Sequence, residues 1–206
     1  MKREKALGYK PEGPVARRED YTIGPCPHGV ARSLIERYHY AKGASRTSVA
    51  AHCLTRRNTG DVVGAALWMP PTAGAAKGLA QRYLGDKDRH RQVLVLSRLV
   101  IVPDEPKNAA GMLLGGSERL VREDSRWKLL VTYADTAEQH RGTIYRATNW
   151  IEAGMTEPTP RWRDPATGRV VARLSTTSRT NAEMVAAGYV REPSSRKIRF
   201  IKRVES

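Results

Sequence analysis

Apolar positions follow two different periods along the chain. Apolar runs bounded by turn residues predict strands, and apolar residues three or four positions apart predict helices. Strands are predicted over residues 48–55, 62–69, 93–102, 128–136, 170–174 and 197–203, and helices over 29–42, 79–84, 108–123, 142–153 and 181–187. Asn108 is expected to cap its helix and Gly154 to end the helix over 142–153. This order predicts an α/β domain with a mixed sheet flanked by helices and a hairpin at one edge.

Three segments depart from this pattern. Residues 1–24 carry many Lys and Arg without apolar periodicity, so a mobile basic arm is predicted before a single domain over 25–206. Residues 72–90 are Gly/Ala-rich and then charged, which favours an excursion from the core that acts as a movable lid or substrate loop. Residues 155–177 are rich in Pro, Arg and Trp, and are expected to be irregular apart from the strand at 170–174.

The charge balance indicates a polyanionic partner. The chain of 206 residues has a formal net charge of +15, and most of its cations are arginine, whose planar fork suits phosphate contacts. No apolar run approaches the roughly 20 residues of a membrane-spanning helix, so nucleic acid is favoured over a membrane surface. A basic solvated surface without a partner is the plainer alternative.

The two cysteines, Cys26 and Cys53, are too few for a disulfide framework, and no apolar signal segment follows the basic start. A reducing cytoplasm is therefore the expected location, with these cysteines serving as small apolar fillers. Together with His28 and His52 they match no strong zinc spacing, so no metal site is assigned.

Residues 129–154 read as a buried strand, a polar loop and a helix. Tyr133 and Asp135 share one strand face by the two-residue period, and Tyr145 falls one turn into the helix, facing Asn149. In open α/β sheets the crevice at the carboxyl ends of the strands collects ligands, so an acid and a phenol there suit proton transfer. The alternatives are structural: Asp135 closing its own loop and Tyr145 packing in the core.

Two further pairs interrupt apolar patterns. His39 and Tyr40 stand at the end of the first helix, where a histidine often just caps the helix. Ser97 and Arg98 break an apolar strand, and a buried guanidinium without a partner is costly, so Arg98 should meet an acid or a ligand. Periodicity leaves open which of Ser97 and Arg98 faces the crevice.

These motifs resemble the Mom proteins of bacteriophages over about residues 30–203. The resemblance rests on His39-Tyr40, Ser97-Arg98, Tyr-Ala-Asp ending at Asp135, and Gly-Thr-Ile-Tyr-Arg-Ala-Thr-Asn-Trp ending at Trp150. It implies an N-acetyltransferase-like (GNAT) catalytic domain with a mostly antiparallel sheet. It also implies a transferase that converts adenine in phage DNA to N6-carbamoylmethyladenine, which protects the DNA from host restriction.

The resemblance also implies roles for the candidate residues. Asp135 would accept a proton from the adenine amine or hold it, Tyr145 would be the general acid, and Asn149 would position donor or substrate. His39 becomes a base or metal ligand, and Tyr40 a stacking surface for a base. Trp68, Ser97, Arg98 and Tyr133 would bind substrate or donor. Since the amine lies in the base stack, such an enzyme would have to flip the base out or act on opened strands, with exposed tryptophans and tyrosines available for stacking.

The donor is the least determined part. Acetyltransferases of this fold bind the coenzyme A pyrophosphate on a glycine-rich turn before a helix, but residues 102–112 hold two acids, two prolines and one late glycine. Acetyl-CoA is therefore disfavoured, and an aminoacyl ester such as glycyl-tRNA is the expected donor. With that donor, tRNA would be a second partner of the protein besides DNA. The resemblance leaves iron binding open, and no iron ligands are assigned. The oligomeric state is also open, and a homodimer is one of the options. The alternatives are a small-molecule or protein N-acetyltransferase and a non-enzymatic DNA-binding protein.

Overall fold

The computed structural model describes residues 14–40, 43, 47–138, 140–168, 170–172 and 180–204. Residues 1–13, most of the predicted basic arm, lie outside the described residues. The strands are β1 (Tyr21–Pro25), β2 (Ala50–Arg56), β3 (Val62–Met69), β4 (Val93–Ile101), β5 (Leu129–Asp135), β6 (Ile151–Met155), β7 (Thr159–Arg163), β8 (Val170–Ala172), β9 (Val190–Ser195) and β10 (Lys197–Arg203). The helices are α1 (His28–Tyr38), α2 (Ala73–Leu84), α3 (Ala109–Arg122), α4 (Thr143–Ala147) and α5 (Asn181–Ala186).

The main sheet has seven strands in the order β1-β2-β3-β4-β5-β10-β6. Every neighbouring pair in it is antiparallel except β4 and β5, which are parallel. The predicted mixed, mostly antiparallel sheet flanked by helices is thereby confirmed. A second sheet has the order β8-β7-β9. Its strands β7 and β8 lie in the region predicted to be largely irregular, and β9 was not predicted.

Helices cover both faces of the main sheet. On one face, Leu113 and Leu114 of α3 pack in a cluster with Leu130 of β5. On the other face, α1 packs on β2 and β3, and α2 packs on β4, β5 and β10. Because side chains alternate along a strand, Leu129 and Val131 of β5 join the α2 cluster while Leu130 joins the α3 cluster.

The two parallel strands separate halfway along their length. Their pairing runs from Val93 opposite Leu129 to Leu96 opposite Thr132 and then stops, although both strands continue. The separation begins at an irregularity in β4, where the register with β3 shifts and Ser97 has no residue opposite it. An extra residue of this kind bends a strand away from its neighbour. The result is a wedge-shaped opening at the carboxyl ends of β4 and β5.

The predicted helix over 142–153 is wrong in its second half. Helix α4 ends at Ala147, Asn149 adopts a left-handed conformation with φ 63°, and Ile151–Met155 forms β6 against β10. Gly154 therefore lies within a strand and does not end a helix. The pairing partner of β6 lies more than 40 residues further along the sequence, so local periodicity could not detect it.

The lid interpretation of residues 72–90 is also wrong. Helix α2 is twice the predicted length and buries Ala76, Leu79 and Ala80 against the sheet, so this segment belongs to the core. Near the start of the chain the sheet begins earlier than expected, because β1 starts within the segment predicted to be an arm.

Several side chains differ from expectation. Asn108 does not cap α3, because its amide exchanges two hydrogen bonds, of 2.8 and 2.9 Å, with the backbone of Ala16. The four tryptophans, predicted to be exposed, are all buried. Cys26 and Cys53 are joined by a disulfide with their Cα atoms 5.1 Å apart, so they are not independent apolar fillers. Of the helices in the described ranges, none has the length and apolar character needed to cross a membrane.

Candidate active site

The opening between β4 and β5 leads into a pocket of about 490 Å³. Its wall comes from the end of α1, from β4 after Leu96, from β5 after Thr132, and from residues 140–145. This volume is in the range of pockets that hold small ligands or a part of a larger one. The pocket therefore lies where the sequence placed it, at the carboxyl ends of the two central strands.

Tyr145 stands against the apolar side of this pocket. Helix α4 follows Gly142, whose φ of 72° places the helix directly on Phe200. The Tyr145 ring centroid lies 5.2 Å from that of Phe200 and 5.8 Å from that of Trp150. Burial raises the pKa of the Tyr145 phenol, and a hydrogen bond with Thr132 partly opposes that rise. The phenol is consequently protonated at neutral pH and can donate a proton or a hydrogen bond.

A stack of rings forms the opposite wall. The His39 and Tyr40 ring centroids lie 4.4 Å apart with an angle of 29° between the ring planes, and the His140 ring centroid lies 5.3 Å from that of Tyr40. Burial lowers the pKa of His39 to about 4, and the charge of Arg98 adds to this effect. Burial and the charge of Asp135 raise the pKa of Tyr40 to about 12. At neutral pH the pocket thus presents a neutral imidazole beside a neutral phenol.

Arg98 brings a positive charge to the same wall. Its Nε donates to the carbonyl of Gly43 at 2.8 Å, and its Nη1 donates to the carbonyl of Ser97 at 2.6 Å. Burial lowers the pKa of this guanidinium, and no ion pair joins it to a carboxylate in the described part of the chain. The Ser97 hydroxyl donates to the carbonyl of Leu67 at 3.0 Å. Both residues line the pocket, but only Arg98 offers it an uncompensated charge.

Asp135 ends β5 next to Ala134, which lines the pocket, but does not itself line it. One carboxylate oxygen accepts a hydrogen bond from the backbone N–H of Ala137 at 3.1 Å, and the other lies 3.4 Å from Nζ of Lys197. The carboxylate is buried, and its charge reaches Tyr40. Asp135 therefore closes its own loop, as the structural alternative expected. Its part in proton transfer stays a prediction.

The remaining candidates divide between the pocket and the rest of the fold. Tyr133 lines the pocket, with the guanidinium of Arg199 6.0 Å from its ring centroid. Trp68 is fully buried in the α3 cluster, where its indole N–H donates to Ser117 at 2.7 Å. Asn149 is exposed beyond the end of α4 and lines no part of the pocket, because the helix that would have carried it stops at Ala147.

Sequence reasoning missed His140 and Thr132. His140 lies in the loop after β5, where a single histidine gives no periodic signal, and Thr132 lies in the apolar run of β5. The two-residue alternation of side chains along β5, taken together with the position of Tyr145 on the next helix, was the one sequence signal that could have suggested that Thr132 faces Tyr145. Within the described ranges, no three His, Cys, Asp or Glu side chains come together as a metal-ligand set. In that part of the chain, then, there is no group of side chains to which the iron that the resemblance left open can be assigned.

A model of the Mom protein family matches residues 20–204, which is most of the chain. The chain belongs to the Mom family. The comparison with curated proteins finds no significant match. The match to the Mom family spans β1 to β10 and therefore includes every residue that lines the pocket.

Solved acetyltransferases share the fold of this Mom family member. A GNAT family acetyltransferase from Elizabethkingia anophelis with acetyl-CoA bound aligns with TM-score 0.51 and 10% identity over 90% of this chain and 99% of that chain. An IAA acetyltransferase from Bacillus cereus aligns with TM-score 0.53 and 7% identity over 89% of this chain and 99% of that chain. A spermidine N-acetyltransferase from Vibrio cholerae in complex with CoA and spermine aligns with TM-score 0.51 and 7% identity over 90% of this chain and 96% of that chain. At these identities the likeness shows the fold alone, which is that of GNAT acyltransferases.

The turn between β4 and α3 differs from a pyrophosphate-binding turn. Glu105 in this turn has a buried carboxylate that accepts a hydrogen bond from the Tyr21 hydroxyl at 2.6 Å and pairs with Arg56. Asn108, just before α3, is bound to the backbone of Ala16. A carboxylate and a segment of the chain thus lie beside the start of α3, where backbone amides would otherwise be open to an anion.

Proposed function

We propose that this Mom family member is a DNA-modifying transferase that converts adenine to N6-carbamoylmethyladenine in the pocket between β4 and β5. The observation that carries the proposal is the composition of this pocket. In a Mom family chain with an acyltransferase fold, it combines a buried phenol, a neutral imidazole and a guanidinium that pairs with no carboxylate among the described residues. These groups can donate a proton, accept a proton and stabilise a developing negative charge.

Acyl transfer to an amine needs a proton acceptor and a proton donor. When the adenine amine attacks a carbonyl carbon, its nitrogen becomes strongly acidic, so even an imidazole with a pKa of about 4 can accept the proton. His39 is neutral and suited to that step. Tyr145 stays protonated and is suited to donate to the oxygen or sulfur that leaves. Arg98 is suited to stabilise the negative charge on the carbonyl oxygen as the bond forms.

The target base must leave the DNA stack to reach this pocket, which costs a few kcal/mol. Stacking against a protein ring offsets part of that cost, at about 1–3 kcal/mol per base. The buried tryptophans cannot serve, so Tyr40 takes this role: its side chain is 45% exposed, and its ring lies against those of His39 and His140.

An aminoacyl ester suits this site better than acetyl-CoA. Attack of the adenine amine on a glycyl ester forms an N–C bond and releases the alcohol, which takes the proton from Tyr145. The glycyl amine then attacks ring carbon 6, and the original C6–N bond breaks, which gives the carbamoylmethyl isomer with no atom added or lost. The buried Glu105 carboxylate and the Ala16–Asn108 contact support this choice, because they disfavour a pyrophosphate at the start of α3.

The proposal is tested by nucleoside mass spectrometry of DNA from cells that express the wild type, Tyr145→Phe or Tyr38→Phe. The wild type should yield a deoxyadenosine species heavier by one glycyl residue. Tyr145→Phe should reduce it by about 10²-fold or more, the usual effect of removing a general acid. Tyr38→Phe removes a phenol outside the pocket and should leave the yield unchanged. Unmodified adenine with soluble wild-type protein would overturn the proposal.

The donor is tested with purified protein, adenine-containing DNA and either glycyl-tRNA or acetyl-CoA. Modification with glycyl-tRNA alone supports the aminoacyl ester. Acetylation of DNA, or of a polyamine or peptide amine, with acetyl-CoA would instead favour an ordinary N-acetyltransferase, which the solved neighbours make the second candidate. Binding of DNA without any reaction by either donor would favour the non-enzymatic DNA-binding protein.

A further inference from the structure

A second pocket, of about 480 Å³, lies beside the first. Ala110 lines the pocket between β4 and β5, while its neighbours Gly111 and Met112 line the second, so only the first turn of α3 separates them. The far wall of the second pocket is the edge strand β1, with Tyr21, Thr22 and Ile23. The pairing of Tyr21 with Arg56 and of Gly64 with Ile101 places both pockets at the same end of the sheet.

Three arginines from separate parts of the chain converge on this second pocket. Arg18 comes from the turn before β1, Arg57 from the turn after β2, and Arg119 from the last turn of α3. All three are exposed, and none forms an ion pair with a carboxylate in the described ranges.

Two carboxylates lie close to these arginines, but neither lines the pocket. Glu19 pairs with Arg17 at 3.8 Å, and Asp20 lines an adjoining hollow of about 310 Å³ with Arg56 and Arg57. Among the described residues, the second pocket therefore presents three arginine charges with no carboxylate at its wall to pair with them.

The floor between the arginines is apolar. Ile23 and Met112 line it, and α3 contributes Gly111 and Gly115, where an added Cβ would meet no atom within 4 Å. Guanidinium groups around an apolar floor match the alternation of phosphates and sugar carbons along a nucleic acid strand. A small, fully charged anion would leave the apolar floor unused.

We propose that this second pocket binds the phosphodiester backbone of the DNA strand that carries the target adenine. The inference rests on the proposed function, and adds to it the surface that holds the substrate strand. A helix is about 10–12 Å across, and a DNA strand advances about 3.4 Å per nucleotide. With the adenine flipped into the first pocket, phosphates about three or four nucleotides away therefore reach the second pocket.

The test compares two double variants with the same loss of charge. Arg57→Gln with Arg119→Gln removes two guanidiniums from the second pocket. Arg91→Gln with Arg203→Gln removes two exposed arginines that lie before β4 and at the end of β10, at the opposite end of the sheet. Binding of a fluorescent duplex is measured by anisotropy across a series of salt concentrations, and urea midpoints show that each variant is folded.

The pocket variant should bind every DNA sequence more weakly, and its plot of log affinity against log salt should be shallower by about two, since each phosphate contact contributes about 0.9. The control variant should retain the wild-type slope. Equal slopes in all three proteins, or equal losses in both variants, would overturn the inference. A loss confined to labelled tRNA would also overturn it and assign the pocket to the donor.

Failure of this inference is distinguishable from failure of the proposed function. Tyr145→Phe should reduce adenine modification by about 10²-fold or more but bind the duplex like the wild type, because it changes no charge in the second pocket. If the wild type modifies no adenine while the pocket variant still loses binding, the DNA surface stands and the proposed reaction falls. If modification occurs but the slopes do not differ, the reaction stands and the second pocket is not the DNA surface.

Discussion

Gly142 is the residue at which one methyl group should disturb both the fold and the site. Its φ is 72°, and a Cβ built on it would overlap the ring atoms Cε2 and Cζ of Phe200. Gly142→Ala therefore carries two costs. A left-handed conformation costs an L-residue about 1–2 kcal/mol, and forcing a methyl group into a packed core costs about 1–3 kcal/mol. The expected loss of unfolding free energy is about 2–5 kcal/mol.

Gly60→Ala separates the two costs. Gly60 also has a positive φ, 76°, but an added Cβ there would meet no atom within 4 Å. This control should lose only the 1–2 kcal/mol of the backbone term. Urea unfolding of both variants, with unchanged slopes, gives the difference between them as the steric term. Since the Phe200 ring contacts Tyr145, Gly142→Ala should also lower adenine modification when folded protein is compared at equal concentration.

Unfolding free energies of Gly142→Ala and Gly60→Ala within about 0.5 kcal/mol of each other would show that the Phe200 ring imposes no steric cost, since additivity errors alone can produce such a difference. Gly142→Ala could also be strongly destabilised yet keep full activity in its folded fraction, which would show that the site does not depend on this contact. In that case the Phe200 ring would move without carrying the Tyr145 phenol with it.

Three further predictions follow from buried or stacked groups. Burial lowers the pKa of His52 from 6.5 to about 4, so the stabilising effect of the neutral side chain is complete above pH 6.5 and is lost as pH falls towards 4. Between pH 7 and pH 5, the free energy of unfolding in urea should fall by about 2 kcal/mol more for the wild type than for His52→Leu. Glu118 accepts a hydrogen bond from the Trp150 indole and pairs with Lys202 at 2.6 Å. Glu118→Gln should lower the free energy of unfolding by about 3 kcal/mol, and adding Lys202→Met should recover most of that loss. No recovery in this double-mutant cycle would show that the two residues are not coupled. Tyr40→Ala should weaken binding of DNA with an unpaired adenine by about 1–3 kcal/mol, whereas Tyr40→Phe keeps the ring and should bind this DNA as the wild type does. Equal affinity of the two variants would exclude stacking of the adenine on the Tyr40 ring.

The fold could be predicted where one element carries its own periodic signal. The predicted strands over 62–69 and 197–203 coincide with β3 and β10, because each alternates or runs apolar between clear turn residues. Prediction failed where the deciding contact is distant in sequence. Helix α2 contains Gly74 and Gly78, which weaken its local signal, and is stabilised by packing on β4 and β5.

The site shows the same division. Six predicted residues line the pocket, namely His39, Tyr40, Ser97, Arg98, Tyr133 and Tyr145, and the family motifs located them. Trp68 was misplaced because an indole in a strand gives no indication of which face is buried. Asn149 was misplaced because the end of α4 depends on a left-handed residue and on the pairing of β6 with β10, neither of which local spacing records.

Strand β10 gives the chain a particular order of assembly. It is the last strand in sequence, yet it lies between β5 and β6, and its Phe200 supports the ring of Tyr145. During synthesis β5 therefore keeps an unpaired edge until about 60 further residues have been added, and pairings of such long sequence separation form slowly. The Tyr145 ring gains this support only when β10 has been made and inserted. A nascent chain thus carries an exposed central strand while it is still incomplete, the state in which aggregation competes with folding.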